Sequence, residues 1–348
     1  MKQAAKGPLT TKQIAQAAGV SVGTVSHVLN GSATVSEKLR KRVEEVIRKL
    51  DYQPSQLARG LRGQTTVLLG VIIPDITNPY FPDLVRGIED VAYKEGFRLV
   101  LCNADNDSAK ELSYFNDLRS FNPAGIIVIP SENSSIGRET AHAKVQIIFV
   151  DRCPSWWKGD AVVANNEDGG YQVGRYLASM GHRSIAAISG PSHIETARDR
   201  IRGFKRALAE AGVRLPGRYV EETQFNTEGG FAAANHLYSL IPRPTAIFAS
   251  SDMLAIGALK AAREMNLRCP DDFSIVGFDD LDFSRLTEPA LTTVFQPGYH
   301  IGSLACQLLL DRVRGASHPP EQKTLNTELR IRNSVRAILV RETPSRKR

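Results

Sequence analysis

Carboxylates, guanidinium groups, amides and aromatic rings recur in this sequence directly after short apolar runs. PDITNPYF, with Tyr80 and Phe81, follows VLLGVII, and Asp151 and Arg152 follow VQIIFV. Gly190-Pro191 follows SIAAIS, and Arg200 opens an R-x-x-G-F run containing Gly203 and Phe204. Ser250, Ser251 and Asp252 follow TAIFA, Asp279 and Asp280 follow FSIVGF, and Gln296 ends LTTVFQ; Phe225 stands just ahead of a helical stretch. Such a set suits a small polar ligand such as a sugar or a nucleobase, because rings stack on it while charged and amide groups fix its polar edge. Taken singly, each residue has a plainer explanation: Phe204 as core, Asp252 as a helix cap, Arg152 as a surface arginine. Their joint placement is what points to a site. Trp156 and Trp157 fall between these groups, where stacking on a ligand and ordinary surface packing are equally good readings.

A second motif invites a different chemistry. Gly19-Val20-Ser21-Val22-Gly23 has the G-x-S-x-G spacing of a hydrolase nucleophile elbow, which needs a strand before it and a helix after it. A helical pattern precedes it here, so Ser21 reads as a helix cap and no catalytic residue is expected. The four cysteines, Cys102, Cys153, Cys269 and Cys306, form no C-x-x-C, which fits a reducing compartment with no structural metal and no cofactor.

The elements that must position the polar groups alternate. VLLGVII, RLVLCN, GIIVIP, VQIIFV, SIAAIS, TAIFAS and FSIVGF read as strands. Amphipathic helical stretches lie among them, near 82–95, 108–121, 196–211, 227–240 and 252–266. This order predicts doubly wound parallel sheets, in two similar lobes with a break near Ala164–Asp168. In open α/β sheets ligands sit beyond the carboxyl ends of the strands, here the crevice between lobes. PGYHIGSLACQLLLDRVRG predicts a helix returning to the first lobe, with Ile301, Leu304, Ala305, Leu308 and Leu309 on its inner face.

The charge is uneven. Of the net +7, residues 1–63 supply all, with 11 Lys+Arg against 4 Asp+Glu, while the other 285 residues carry 33 of each sign. That asymmetry predicts a polyanion-binding head on a neutral body. In the head, Thr10 and Gln13 have capping-box spacing for a helix over Thr11–Ala18, with Ile14, Ala17 and Ala18 on one face and Gly19 as its stop. Ser21 caps a second helix over Val22–Leu29, with Val25, Val28 and Leu29 inward. Ser36 caps a third over Glu37–Leu50, carrying Leu39, Val43, Val46, Ile47 and Leu50 at helical spacing. Two short helices joined by a tight turn, with a third behind, make a helix-turn-helix. Thr24, Ser26 and Asn30 suit phosphate oxygens.

IAQAAGVSVGTVSHVLNG and VSEKLRKRVEEVIRKLDYQPSQLARGLRG resemble the DNA-binding head of the lactose-repressor (LacI/GalR) family, and IPDITNPYF, GHRSIAAISGP, PTAIFASSD, GFDD and PALTTVFQP resemble its periplasmic-binding-protein-like core. The resemblance implies that Val22, Gly23 and His27 face base edges in the major groove, while Ser21, Thr24, Ser26 and Asn30 complete the expected DNA-binding set. Arginine is usual in the family where His27 stands, and arginine reads guanine bidentately. The resemblance makes 55–63 a hinge helix, with Ala58 and Leu61 reaching the minor groove and Leu61 wedging between base pairs. It places the effector contacts on Tyr80, Phe81, Arg152, Arg200, Phe225, Ser251, Asp279 and Gln296. The last residues lack leucine heptads, which implies a dimer rather than a tetramer.

The expected organisation is therefore a DNA-binding head over 1–54, a hinge over 55–63 and an effector-binding core over 64–348. In that core, lobe 1 takes about 64–164 and 297–325, and lobe 2 about 165–296 and 326–345. The expected function is a dimeric transcriptional regulator, a repressor by preference, binding pseudo-palindromic operator DNA under control of a sugar-like or nucleobase-like effector. With no run of 18 apolar residues and no signal-peptide pattern, no membrane role is expected and the cytoplasm is the default compartment. A transport binding protein would need a signal peptide and no helix-turn-helix. A hydrolase would rest on G-x-S-x-G alone.

Overall fold

The computed structural model describes residues 9–29, 35–52, 67–136 and 145–338. Asn30, Ala58, Leu61 and the whole 55–63 hinge lie outside these residues. The chain divides into two compact units, 1–66 and 67–348.

The first unit holds α1 (Thr11–Ala18), α2 (Val22–Leu29) and α3 (Glu37–Lys49). At the start of α1 the capping box closes: Thr10 Oγ1 accepts from the Gln13 amide, and Gln13 Oε1 accepts from the Thr10 amide at 2.7 Å. Gly19 ends the helix at φ 64°, a conformation that disfavours any residue with a Cβ. Ser21 Oγ accepts from the Thr24 amide at 3.1 Å, so Ser21 is the cap of α2. Ser36 precedes α3 in extended backbone but makes no side-chain cap bond; Glu37 supplies the favourable charge at that helix end instead. The core is Ile14, Ala15, Ala18, Val25, Val28, Val43 and Tyr52. Ala17 is exposed, contrary to its expected inward place, because Ala15, two positions earlier, takes the inner face. Leu39 and Leu50, at the two ends of α3, also stay exposed.

The second unit contains two parallel sheets. Six strands run in the order β11-β5-β4-β3-β1-β2, all parallel: β1 (Leu68–Ile73), β2 (Arg98–Asn103), β3 (Gly125–Val128), β4 (Gln146–Val150), β5 (Ala161–Ala164) and β11 (Gln322–Leu325). Four more run in the order β7-β6-β8-β9, also parallel: β6 (Ile185–Ser189), β7 (Val220–Glu222), β8 (Ala246–Ala249) and β9 (Ser274–Val276). β10 (Thr293–Phe295) and β12 (Glu328–Arg330) pair antiparallel. Isolated bridges from Val276 to Thr292 and from Asp279 to Phe295 tie that pair to the end of β9.

Helices α4 (Tyr80–Lys94) and α5 (Ser108–Ser120) follow β1 and β2; α6 (Asn166–Ser179) follows β5. α7 (Glu195–Glu210), α8 (Thr227–Ser239) and α9 (Asp252–Glu264) follow β6, β7 and β8. α10 (Gly298–Val313) returns to the larger sheet and buries Ile301, Ala305, Leu308 and Leu309 in its core. Near-continuous apolar strands such as LLGVII and IAAIS are what a sheet covered on both faces requires. Gly170 and Gly203 let α6 and α7 touch backbone to backbone: a Cβ on Gly170 would collide with the Arg200 carbonyl oxygen, and one on Gly203 with that of Glu167. This close crossing sets the depth at which Arg200 enters the cleft.

Candidate functional site

The carboxyl ends of both sheets present their polar residues to one crevice. At its floor lies the buried Arg200 guanidinium. Its Nη1 donates to the Ser250 carbonyl at 2.6 Å and to Asp279 Oδ1 at 3.3 Å, and its Nε donates to Asn166 Oδ1 at 2.8 Å. The guanidinium carbon stacks 3.9 Å from the Phe278 ring centroid and 5.9 Å from that of Phe225. Gln296 Nε2 donates to the same Asp279 oxygen at 2.6 Å. Arg200, Phe225, Asp279 and Gln296 are thus brought together, joined by Asn166 and Phe278.

The opposite wall comes from the larger sheet. Tyr80 and Phe81 begin α4, both buried. The Arg152 guanidinium carbon sits 5.9 Å from the Phe81 ring centroid, and its Nη1 donates to the Pro130 carbonyl at 3.2 Å. Its side chain is only 11% exposed and lies 3.6 Å from Asp151 Oδ2, so it is not a surface arginine. Ser251 behaves differently. Its Oγ accepts from the Leu254 amide at 3.2 Å and caps α9, while Asp252, the residue expected to cap, is buried beneath. Asp252 accepts instead from Thr293 Oγ1 at 2.6 Å and from the Leu281 amide at 2.9 Å. Phe204 is core, as expected.

Burial sets the electrostatics of this floor. It pushes the Asp279 carboxyl up to about 6, opposed by the Arg200 guanidinium and the Gln296 amide. Asp252 is raised well above its ordinary value by burial and then by the Asp279 charge. Burial and the neighbouring Asp151 carboxylate push the Tyr80 hydroxyl far up. Arg152 is lowered, again by burial. Asp151, Asp279 and Asp280 adopt left-handed backbone at φ 65°, 118° and 56°. Strain of this kind at strand ends is held in place by its surroundings and clusters at functional sites.

Eight buried side-chain atoms meet no close hydrogen-bond partner among the described residues, and five belong to residues that follow strands of this site: Tyr80 Oη, Ser131 Oγ, Asp151 Oδ1, Arg152 Nε, which still lies 3.6 Å from Asp151 Oδ2, and Gln296 Oε1. Buried polar atoms are ordinarily satisfied, so this concentration at the strand ends is unusual. Two adjoining cavities of about 210 and 260 Å³ open from Arg152, Pro154 and Glu195. Trp156 lines the first and Trp157 the second, and both also pack edge-on against Phe149.

In the head, Ser21, Val22, Gly23 and His27 form the exposed face of α2, with Val22 45% exposed, while Thr24 and Ser26 are half-buried. The Ser21 and Thr24 hydroxyls share a hydrogen bond at 2.9 Å. The α3 cations Lys38, Lys41, Arg42, Arg48 and Lys49 are exposed in the same unit.

Comparison with known proteins matches this arrangement. Residues 10–55 match the model described as bacterial regulatory proteins, lacI family, and residues 174–335 match a periplasmic binding protein-like domain. The HTH-type transcriptional repressor PurR of Mannheimia succiniciproducens is 35% identical over 331 residues, 94% of this chain and 99% of that one. The chain belongs to the lacI family of bacterial regulatory proteins. PurR of Vibrio vulnificus is 34% identical over the same share of each chain. The lac repressor dimer bound to operator and the anti-inducer ONPF superposes with a TM-score of 0.83 at 27% identity, covering 95% of this chain and 100% of that one. The CelR–cellobiose complex gives a TM-score of 0.73 at 28% identity, covering 94% and 99%. The architecture of this lacI-family regulator is a helix-turn-helix head and a two-lobed α/β effector domain with parallel sheets.

Some residues that the geometry brings into the cleft were not among those expected there. Asp151 was visible at a strand end, but its neighbour Arg152 was preferred. Asn166 and Ser131 carry no signal in the sequence, because an amide at the start of a polar, glycine-containing helix and a serine in a loop look like ordinary turn residues. No helix among the described residues is long and apolar enough to cross a membrane.

Proposed function

We propose that this regulator is a repressor that binds a pseudo-palindromic operator as a homodimer and is controlled by a small polar effector, sugar-like in the first instance, held between its lobes. The observation carrying the reading is the buried Arg200–Asp279 pair at the strand ends, with Gln296, Asn166 and the Phe225 and Phe278 rings gathered on it. Tyr80, Phe81, Arg152, Arg200, Phe225, Asp279 and Gln296 are the proposed contacts, with Ser251 acting through its helix. A nucleobase-like effector is the second reading, favoured by the Phe81 and Phe225 rings beside the two arginines.

On the DNA side, Val22, Gly23 and His27 would read base edges, Ser21, Thr24, Ser26 and Asn30 would meet phosphates, and Ala58 and Leu61 would enter the minor groove. The proposed division is 1–54 for the head, 55–63 for the hinge and 64–348 for the sensor. Within the sensor, lobe 1 spans about 64–164 and 297–325, and lobe 2 about 165–296 and 326–345. The protein acts in the cytoplasm, without catalysis and without a cofactor. An effector shifts the balance between lobe arrangements by its differential affinity for them, and so sets operator affinity.

Gel shift with promoter DNA from the gene's own neighbourhood tests the DNA arm, and no preference over competitor DNA would sink it. A thermal-shift screen of sugars, sugar phosphates, nucleosides and purines tests the effector arm, since a ligand bound only to the folded state raises its melting temperature.

A further inference from the structure

One contact spans the cleft mouth and touches none of the proposed effector contacts directly. Glu132 lies in the loop after β3, in the larger sheet's half; His193 lies in the loop after β6, in the other half. Glu132 Oε2 and His193 Nε2 are hydrogen-bonded across the gap, at 19% and 45% side-chain exposure. Each partner sits on a braced loop. The buried Glu111 carboxylate accepts from the Ser131 amide and the Ser134 hydroxyl beneath Glu132. On the other side, Glu222 Oε1 accepts from the Ser192 amide at 2.8 Å and from its hydroxyl at 3.1 Å. Loops fixed this firmly do not reach out to each other by chance of side-chain flexibility; the pair reports the spacing of the two lobes.

We infer that Glu132 and His193 form a proton-sensitive latch holding the cleft mouth closed. Histidine is the side chain whose charge ordinarily changes between about pH 5 and 8. On the acid side the contact is an ion pair, and on the alkaline side it is a neutral hydrogen bond, so the hold on the lobes weakens as pH rises. The charged groups facing it are Glu132 and Arg152 from the first lobe, and Glu195 and Arg198 from α7. Arg198 donates weakly to the His193 and Ser192 carbonyls at 3.5 and 3.4 Å. Glu132 also acts on the Arg152 charge, so the latch is coupled to an effector contact. The inference rests on the two-lobe geometry and does not depend on which effector binds.

The molecule carries its own reporter. Its two tryptophans are Trp156 and Trp157, and Trp156 lines the same small cavity as Glu132 and His193. Tryptophan emission and acrylamide quenching of the full-length protein, without ligand, are followed from about pH 5 to pH 8. The expected result is a sigmoidal change in emission, with quenching increasing toward alkaline pH. In His193→Gln the transition is lost and quenching stays at the alkaline value. In Glu132→Gln the transition also collapses, because no charge on the opposite lobe is left to answer the imidazolium. His318 flanks the tryptophans from another cavity, so His318→Gln is the control and retains the transition. A flat wild-type curve, a transition surviving in His193→Gln or in Glu132→Gln, or its loss in His318→Gln overturns the latch.

Discussion

Replacing Arg200 by methionine isolates the element on which the cleft floor depends. Methionine keeps an unbranched stem over the Phe278 ring but removes the three donated bonds, to Asn166 at 2.8 Å, to the Ser250 carbonyl at 2.6 Å and to Asp279 at 3.3 Å. Breaking a buried pair by removing one partner costs about 3–5 kcal/mol, because the other charge is left without compensation. Asp279 can relieve part of that cost by taking up a proton. Its carboxyl already titrates at about 6 with Arg200 present, and without the guanidinium it rises further. A carboxylate raised in the folded state contributes stability below its unfolded value that is lost as pH climbs through the folded value. The wild type therefore loses this contribution above about 6, and the variant continues losing stability relative to it by about 1.4 kcal/mol per pH unit until its own higher value is reached. Urea unfolding followed by circular dichroism is expected to show a loss of about 3–5 kcal/mol near pH 7.5, and one smaller by about 1–2 kcal/mol near pH 5.5. An equal loss at both pH values refutes the assignment of Asp279 as the group that Arg200 compensates.

Gly203→Ala drives a methyl group into the Glu167 carbonyl and forces α6 from α7; a melting-temperature drop matching about 1–3 kcal/mol is expected, and no drop refutes the close crossing. Asp279→Asn keeps the volume and an oxygen acceptor but removes the negative charge and turns the second carboxylate oxygen into a donor, so effector-induced thermal stabilisation should disappear. In the wild type, donors on the effector favour the ionised carboxylate, so that stabilisation should fade as pH drops through about 6; a pH-independent shift contradicts the role of Asp279. Leu61→Ala should weaken operator binding in gel shift far more than binding to competitor DNA, and equal losses exclude a wedge.

Much of the fold was legible because its strands announce themselves as apolar runs bounded by turn residues. β2 falls where RLVLCN placed it, and α7, α8 and α9 begin within a residue of their expected starts. What escaped notice was short or amphipathic: β5 is four residues, β7 is half-exposed VEE, and β11 is QKTL, an edge strand with little apolar content. Helix α6 was hidden because its start, NEDGG, reads as a loop; Gly170 makes room for the backbone of α7 and Gly169 for the Phe278 ring, which sequence periodicity does not encode. In the site, Arg200, Asp279 and Gln296 could be found because they stand at strand ends. The exchange of roles between Ser251 and Asp252 could not, since either type can cap a helix and only the fold decides which is buried. The Glu132–His193 contact joins residues 61 apart in sequence through loops with no pattern of their own.

The place of β11 has a consequence for how the protein is made. This strand, Gln322–Leu325, zips onto β5, whose residues leave the ribosome some 160 positions earlier. Until then the larger sheet has an open edge at Ala161–Ala164, an apolar strand with unpaired backbone groups. The helix-turn-helix is synthesised first and has its own small core, so a nascent chain possesses a folded reader long before it has a finished sensor. Termination ahead of Gln322 therefore yields a DNA-reading fragment attached to an unsealed sheet, a product inclined to aggregate rather than one that answers to an effector.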